Sequence, residues 1–295
     1  MLRLPIFEHH NPSSLDAALE LLGGFAERDE AAKVIAGGTD LLPLMRDRVV
    51  AVDEIVDIQG LHELKGITVK DGALKIGALT TLTEVLESPL VAEKAPVLRE
   101  AVGHIGSVQT RNQGTLAGNL CNASPAADSA PALMVLGAQA RVASATGAKK
   151  TPVEELFAGP KMNSLGKDEL VTEIIVPELP PGSGAAFEKL GRRKGITLSV
   201  VNAAAYVEME GEQCMDTRIA LGAIATTPIR LPGVESTYKG KELTPEAIEE
   251  SSRACYALVN PVDDVRASAE YRREMACVLV KRAIVKAYAR AGGGQ

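Results

Sequence analysis

Two short glycine-rich segments are the part of this chain best suited to bind a ligand through the main chain. The first cradle segment is residues 34–41, centred on Gly37 and Gly38, and the second is residues 114–120, centred on Gly118. Neither contains a lysine. Small side chains let the backbone approach a ligand closely, and consecutive N–H groups in a tight turn hold phosphate oxygens without side-chain charge. Together the segments predict two walls of a site for the diphosphate of a large cofactor.

Two charged residues outside these segments are candidate ligands, although each also has an ordinary structural interpretation. Asp128 lies at the predicted start of a helix, where it is either a helix-terminal carboxylate or a ligand to cofactor hydroxyls. Lys189 is either a lysine at a strand edge or a cation that compensates the negative charge of a reduced flavin and raises its reduction potential. Each cradle segment taken alone is likewise compatible with an ordinary turn.

Several familiar catalytic motifs are absent from the sequence, which narrows the classes of function. Residues 159–167 lack the spacing of a phosphate-binding loop, and Asp168 follows the lysine where Ser or Thr would bind magnesium. The stretch that begins at His62 has no second histidine for a zinc protease. Neither a Gly-x-Ser-x-Gly elbow nor a Gly-x-Gly-x-x-Gly dinucleotide motif occurs. We therefore expect no catalytic side chain and no metal site on this chain.

The composition and charge exclude further classes of partner. Of the 295 residues, 46% are hydrophobic and 24% are charged, and the formal net charge is −6. No cluster of lysine and arginine interleaves with aromatic residues, so we expect no nucleic-acid partner. No apolar run is long enough to span a membrane, and residues 1–7 lack the pattern of a secretory signal, so we expect a cytoplasmic protein. The four scattered cysteines predict reduced thiols rather than disulfides or an iron–sulfur cluster on this chain.

The elements that position these segments follow from apolar spacing and turn residues. Ser13 or Ser14 is predicted to cap a helix that ends at Gly23 and Gly24, and a strand at residues 33–36 leads directly into the first cradle segment. Asp71-Gly72 predicts a hairpin, because this dipeptide supplies the positive φ angles that a two-residue turn needs. Further predicted elements are a helix capped by Thr83, helices at 95–105 and 128–136, and strands at 54–58, 139–143 and 169–176.

The best candidate for a domain boundary is the stretch 178–184, which is rich in proline and glycine. Beyond it, predicted strands precede two helices at 245–258 and 269–291, an order typical of an α+β domain. We therefore predict three units: lobe 1, of α/β type, at residues 1–58; lobe 2, of α+β type, at residues 59–177; and a C-terminal domain at residues 178–295.

Taken together, these features resemble the FAD-binding medium subunit of the molybdenum hydroxylases, the family of bacterial xanthine dehydrogenase and aerobic carbon monoxide dehydrogenase. The likeness spans nearly the whole chain and rests on several matched stretches in the right order. Besides the two cradle segments, the matched stretches are Gln-Thr-Arg-Asn-Gln-Gly at residues 109–114, Glu-Leu-Val-Thr-Glu-Ile at residues 169–174 and Asp-Val-Arg-Ala-Ser at residues 264–268.

The resemblance implies an α+β fold: a two-lobed FAD-binding domain of the vanillyl-alcohol-oxidase (PCMH) type, followed by a smaller α+β C-terminal domain. It implies that FAD is the cofactor, with its diphosphate and ribityl chain on the two cradle segments and its hydroxyls on Asp128. Leu170 and Lys189 would line the flavin, and Ile105 and Gly106 would lie against its isoalloxazine side. The residues implied to contact FAD are Val34, Ile35, Ala36, Gly37, Gly38, Thr39, Asp40, Leu41, Ile105, Gly106, Thr115, Leu116, Ala117, Gly118, Asn119, Asp128, Leu170 and Lys189.

The resemblance also implies a hetero-complex in which this chain does no substrate chemistry. A large subunit would carry molybdopterin and a small subunit two [2Fe–2S] clusters, in a dimer of heterotrimers. Electrons would pass through the clusters to FAD and then to an external acceptor. No motif in the chain specifies the substrate or that acceptor.

Two departures from the family pattern are visible in the sequence. Leu116-Ala117 replaces the usual isoleucine or valine followed by glycine, and the methyl group of alanine would crowd the turn. A related 4-hydroxybenzoyl-CoA reductase carries a cysteine-rich insertion for a further iron–sulfur cluster. Here Cys121 runs straight into Asn122, so we expect that cluster to be absent.

Two alternative functions stay open at this stage. A self-sufficient FAD-dependent oxidase or dehydrogenase would need a substrate base beside the flavin. His9, His10 and His62 lie in predicted surface turns, and His104 precedes the predicted flavin segment, so none is an obvious base. A cofactor-free structural subunit is the other alternative, and the intact cradle segments argue against it.

Overall fold

Lobe 1 is built on a small parallel sheet. The computed structural model describes residues 3–293, so the outermost two residues of lobe 1 and of the C-terminal domain lie outside the described residues. The elements of lobe 1 are β1 (Glu8–His10), α1 (Leu15–Glu27), β2 (Ala32–Ile35), α2 (Leu41–Arg46) and β3 (Glu54–Asp57). The strand order is β1-β3-β2, which leaves β2 at an edge. The segment between β2 and α2 therefore starts from an edge strand of this sheet.

Two predictions for lobe 1 are wrong, while the cap at Ser14 is confirmed. Helix α1 continues to Glu27 instead of ending at Gly23 and Gly24, because Phe25 is buried and its packing outweighs the low helix propensity of glycine. His9 and His10 belong to β1, where their imidazoles pair with carboxylates of β3, rather than to a surface turn.

Lobe 2 is an antiparallel five-stranded sheet with a helical insertion between β5 and β6. Its strand order is β4-β5-β10-β6-β7, and β8 and β9 form a separate ribbon. Its elements are β4 (Ile67–Lys70), β5 (Ala73–Gly77), α3 (Leu82–Glu87), α4 (Pro89–Lys94), α5 (Pro96–Gly103), α6 (Val108–Gln113), α7 (Leu116–Cys121), α8 (Ser129–Val135), β6 (Gln139–Ser144), β7 (Gly147–Pro152), β8 (Phe157–Gly159), β9 (Met162–Asn163) and β10 (Leu170–Pro177), with 3-10 turns at His62–Leu64 and Val153–Leu156.

The hairpin predicted at Asp71-Gly72 is confirmed, with φ angles of 55° and 68°. The cap predicted at Thr83 is wrong: Thr81 caps α3, in a reciprocal capping box with Glu84. Helices α6 and α7 were not predicted from the sequence. Each has six residues, too few to show an apolar period.

The C-terminal domain is an antiparallel sheet of order β11-β12-β13-β14 with helices on one face. Its elements are β11 (Ser183–Gly191), β12 (Ser199–Glu210), β13 (Gln213–Gly222), β14 (Ile229–Arg230), α9 (Pro232–Glu235), α10 (Pro245–Leu258) and α11 (Ala269–Arg290). The predictions for α10 and α11 are confirmed, and α11 packs on β11 and β12.

The central strand β12 joins the C-terminal domain to lobe 2. Its side chains alternate between faces, so that Ala204 and Tyr206 enter the core of lobe 2 while Ala203 and Ala205 belong to the apolar cluster under α11. Both faces of the sheet are therefore buried. No helix within residues 3–293 is long and apolar enough to cross a membrane.

Candidate functional site

The first cradle segment presents a run of unpaired backbone donors. It leaves the edge strand β2 at Ile35 and enters α2 at Leu41, with Gly38 in the left-handed region at φ 68°. Among the described residues, the amides of Ala36, Gly37, Gly38, Thr39 and Asp40 donate no hydrogen bond to a backbone or side-chain acceptor. Residues 36–39 are only half-buried. Such a run of N–H groups is a ready site for an anion with several oxygens.

The two cradle segments meet at Gly37. A Cβ placed on Gly37 would overlap the carbonyl oxygen of Gln113 and lie 3.0 Å from the Cα of Gly114. A Cβ on Gly114 would in turn lie 3.3 Å from the Oγ1 of Thr39. The backbones of the two segments are therefore in direct contact, and only glycine fits at position 37 without displacing main chain.

The second cradle segment differs from its sequence-based prediction. It forms the first turn of helix α7, capped by Thr115, rather than a tight turn. The Thr115 Oγ1 accepts from the amide of Gly118 at 3.0 Å, and the Thr115 carbonyl accepts from the amide of Asn119 at 3.0 Å. The Asn119 Oδ1 accepts from the hydroxyl of Ser129 at 2.6 Å. Most amides of this segment thus already have acceptors within the fold, including Thr110, Thr80 and Thr115. Ala117 is buried, and a helix accommodates its methyl group.

Asp128 and Lys189 form a buried ion pair across the boundary between lobe 2 and the C-terminal domain. The Lys189 Nζ donates to the Asp128 Oδ2 at 2.6 Å, and the two side chains are 5% and 6% exposed. The other carboxylate oxygen of Asp128 accepts from Ser199 at 2.6 Å and from the amide of Asn202 at 2.7 Å. All three donors come from β11 and β12, so the Asp128 carboxylate of lobe 2 connects to both of these strands of the C-terminal domain.

The remaining protons of the Lys189 ammonium are also engaged. The Nζ donates to the carbonyl oxygen of His104 at 3.0 Å and to that of Thr197 at 3.1 Å. An ammonium has three protons, and here each has an acceptor. The charge of Lys189 is neutralised locally by Asp128, so its Coulomb effect on a bound anionic group is weaker than that of an unpaired lysine.

The other residues named from the sequence lie in two places. Ile105 and Gly106 follow α5 in the turn whose His104 carbonyl binds Lys189, and Gly106 is in the left-handed region at φ 54°. Leu170 is buried instead in the apolar cluster against which Val34 and Ala36 pack, on the lobe 1 side. The structure thus gathers Ile105, Asp128 and Lys189 into one group and sets Leu170 apart, beside the first cradle segment.

Sequence analysis missed several residues that build this region. Ser199 and Asn202 hold Asp128, and no motif distinguishes them from ordinary strand residues. The stretch 264–268 was noted, but without a role. In the structure the Arg266 guanidinium donates to the Ser199 carbonyl at 3.3 Å and to Asp264, which connects this stretch to the Asp128 cluster.

The pKa of the Asp264 carboxyl is lowered by its surroundings. Partial burial alone would raise its pKa, but hydrogen bonds from Arg266 and from the buried Arg272 lower the pKa well below its ordinary value. The Arg272 guanidinium also donates to the carbonyls of Val200 at 2.9 Å and Ala223 at 3.0 Å. Asp264 is therefore a permanent anion at neutral pH that ties the start of α11 to β12.

Comparison with known proteins gives a consistent result over nearly the whole chain. The family profile described as FAD binding domain in molybdopterin dehydrogenase matches residues 5–179, and that described as CO dehydrogenase flavoprotein C-terminal domain matches residues 185–287. The carbon monoxide dehydrogenase medium chain of Hydrogenophaga pseudoflava is 34% identical over 97% of this chain and 98% of its own length. The xanthine dehydrogenase FAD-binding subunit of Escherichia coli O157:H7 is 33% identical over 97% of both chains.

A solved structure agrees with this match. Carbon monoxide dehydrogenase from Hydrogenophaga pseudoflava, in a form that lacks the Mo-pyranopterin moiety of the molybdenum cofactor, superposes with a TM-score of 0.93 at 34% identity. The match covers 98% of this chain and 99% of that chain. The predicted α+β fold, an FAD-binding domain followed by a C-terminal domain, is confirmed.

Proposed function

The chain belongs to the FAD-binding subunits of the molybdenum hydroxylase family, and from that premise we propose that it is the flavoprotein subunit of such a complex. It carries electrons between [2Fe–2S] clusters of a partner chain and an external acceptor. The bound FAD supplies the redox chemistry, because its ring accepts and releases electrons. The observation that carries the proposal is the run of unpaired amides in the first cradle segment, in backbone contact with the second.

The residues of the first cradle segment are suited to hold a diphosphate. Their N–H groups have no acceptor among the described residues, and residues 36–40 are half-buried or exposed, so these donors are open to a ligand. Phosphate oxygens would satisfy these donors. We propose that residues 34–41 and 115–119 contact the diphosphate and ribityl chain of FAD, with Gly37 allowing the two walls to approach.

Asp128, Lys189, Leu170, Ile105 and Gly106 are proposed to complete the site. Asp128 already accepts three hydrogen bonds, and a carboxylate has about four acceptor positions, so one position remains for a cofactor hydroxyl. Lys189 supports the Ile105 turn through the His104 carbonyl and contributes little free charge. Side chains of this chain thus bind and orient the cofactor, and none is assigned a proton-transfer step.

The three units are proposed to have separate roles. Lobe 1 (1–58) and lobe 2 (59–177) hold FAD between them, and the C-terminal domain (178–295) buttresses the flavin side through Lys189. Each unit has its own main sheet, of three, five and four strands, which supports this division; the β8–β9 ribbon belongs to lobe 2. The turn at residues 181–182, directly before β11 begins at Ser183, supports the boundary between lobe 2 and the C-terminal domain.

The partners are proposed from the names of the relatives. One relative is called a medium chain and another an FAD-binding subunit, which supports a complex of several chains. We propose a large molybdopterin subunit and a small subunit with two [2Fe–2S] clusters, assembled as a dimer of heterotrimers in the cytoplasm.

The test is to isolate the chain, alone and with the chains that co-purify with it, and to add FAD. The proposal predicts a bound flavin spectrum with one FAD per chain, and flavin reduction by the complex but not by the isolated chain when a donor is supplied. Absence of flavin binding in both preparations would favour a structural subunit. Turnover of a donor by the isolated chain would favour a self-sufficient flavoenzyme.

A further inference from the structure

The turn that follows helix α5 (Pro96–Gly103) carries two carbonyl groups, those of His104 and Ile105, that accept from no backbone donor among the described residues. The last carbonyls of a helix have no intrahelical partner, and α5 has no basic residue in its last turn. The chain then turns sharply at residues 104–107. Gly106 adopts φ 54°, and a Cβ there would lie 2.9 Å from the Cβ of Thr110. This turn holds Ile105 and Gly106, two of the residues proposed above to face the flavin.

Two cations from different elements satisfy these carbonyls. The Lys189 Nζ on β11 donates to the His104 carbonyl at 3.0 Å, and the Arg111 Nη1 on α6 donates to the Ile105 carbonyl at 2.9 Å. Cations at a helix C-terminus also interact favourably with the helix dipole. Consecutive carbonyls of one turn are therefore held from the C-terminal domain on one side and from lobe 2 on the other.

Arg111 occupies a position between the turn and the cradle. Its backbone amide donates to the carbonyl of Ser107 at 2.9 Å, so it is anchored to the turn through main chain as well as side chain. Two residues later, the Gln113 carbonyl is the group that Gly37 contacts. Helix α6 thus spans the short distance from the flavin turn to the meeting point of the cradle segments.

One nitrogen of the Arg111 guanidinium lacks a hydrogen-bond acceptor among the described residues. Its Nε is buried and has no acceptor within residues 3–293. A buried donor without a partner is unfavourable, and proteins retain few such groups. A shorter or apolar side chain would avoid this cost but would leave the Ile105 carbonyl without its donor.

We propose that Arg111 is a positioning residue of the FAD site, which fixes the turn at residues 104–107 in its binding conformation and links it to the cradle through α6. This rests on the proposed function, because it assumes that the turn lies at the flavin. Arg111 Nε is buried and Nη1 donates to the Ile105 carbonyl, so the proposed action of Arg111 on the cofactor site is through the turn.

The experiment compares Arg111→Met, Arg111→Lys and a matched control, Arg99→Met. Arg99 lies on α5 and also donates to a backbone carbonyl, that of Leu86 at 2.9 Å, but on the exposed surface away from the turn. Each variant is made in the full-length chain and purified as wild type is, with its co-purifying chains. FAD is removed and re-added, and three quantities are measured: the FAD dissociation constant, the absorption spectrum of the bound flavin and the thermal midpoint of the FAD-free protein.

The expected result is an FAD dissociation constant raised about tenfold in Arg111→Met, because the turn is competent for binding in a smaller fraction of molecules. The spectrum of the bound flavin should shift, since a displaced turn changes the ring environment. The FAD dissociation constant of Arg111→Lys should lie between those of wild type and Arg111→Met. Arg99→Met should match wild type in the FAD dissociation constant and in the flavin spectrum.

Three outcomes would overturn the inference. Arg111→Met that binds FAD with wild-type affinity and spectrum excludes a positioning role. Equal weakening in Arg99→Met assigns the effect to general destabilisation. If Arg111→Met does not fold, Arg111→Lys decides, and wild-type affinity and spectrum in that variant reject the proposal. Failure of the wild-type protein itself to bind FAD would instead reject the proposed function.

Discussion

The first cradle segment and the Asp128 cluster are both polar regions beside the proposed cofactor site, yet they are built in opposite ways. The cradle segment offers backbone donors from Ala36 to Asp40 without acceptors among the described residues. In the Asp128 cluster, the carboxylate and the Lys189 ammonium find their partners inside the protein, and both side chains are almost fully buried.

The difference separates a ligand site from a structural junction. Donors that the fold leaves open are satisfied only when something binds, whereas donors that the fold has paired hold its parts together. We therefore expect changes in the cradle segment to act mainly on FAD affinity, and changes in the Asp128 cluster to act mainly on the stability of the domain junction.

The largest expected effect is on FAD binding, from Gly37→Ala. The added Cβ would overlap backbone atoms of Gln113, so the two walls must separate. Loss of two amide-to-phosphate hydrogen bonds, at about 1.5 kcal/mol each, corresponds to about a hundredfold weaker binding. Flavin content after gel filtration and the FAD dissociation constant measure the effect.

Gly23→Ala is the matched control for this variant. Gly23 lies in α1, and a Cβ added there would have no atom within 4 Å, so alanine should leave FAD binding unchanged and stabilise the helix slightly. Wild-type flavin content in Gly37→Ala would contradict the assignment of the first cradle segment as a ligand site, because the close approach of the two segments would then not matter for FAD binding.

A second prediction concerns the junction. Lys189→Met leaves the Asp128 carboxylate buried without its counter-ion, which should lower the free energy of unfolding of the FAD-free chain by about 3 kcal/mol. The double variant Asp128→Asn/Lys189→Met should lose less than the sum of the single losses, since the two side chains interact directly. Urea unfolding of the four proteins measures this coupling, and strictly additive losses would contradict a structural pair.

A third, smaller effect tests whether the junction extends to Asp264. Its folded-state pKa is lowered, so its contribution to stability is complete above the unfolded value of about 3.9 and is lost as the pH falls through the lower folded value. Asp264→Asn should therefore cost about 1 kcal/mol at pH 7, and the difference from wild type should shrink below about pH 4. A difference that stays constant from pH 7 to pH 2.5 would show that the Asp264 charge is not involved.

The fold was predictable where local signals were strong. Asp71-Gly72 fixes a hairpin by its φ preference, and the long helices α10 and α11 show clear apolar spacing. Helices α6 and α7 escaped prediction because six residues are too few for a period to show. The end of α1 was misplaced because burial of Phe25, a tertiary effect, outweighs the glycines before it.

The candidate site was predictable in composition but not in its pairing. The small residues of the first cradle segment predict that another backbone or a ligand approaches closely. In the structure, Gly37 lies against the backbone of Gln113. By contrast, the acceptors of Lys189 include the carbonyls of His104 and Thr197, which every residue type provides and no sequence pattern marks. The pairing of the Lys189 charge with Asp128 is therefore visible only in the three-dimensional arrangement.

Hydrogen exchange of the backbone amides, followed by mass spectrometry with and without FAD, tests the central claim most directly. The account predicts that peptides covering residues 36–41 exchange rapidly without FAD and are protected at least about tenfold with it, because their open amides gain acceptors. Peptides around Asp128 should change little. Rapid exchange of residues 36–41 in the FAD-bound protein would contradict the claim that these amides hold the cofactor.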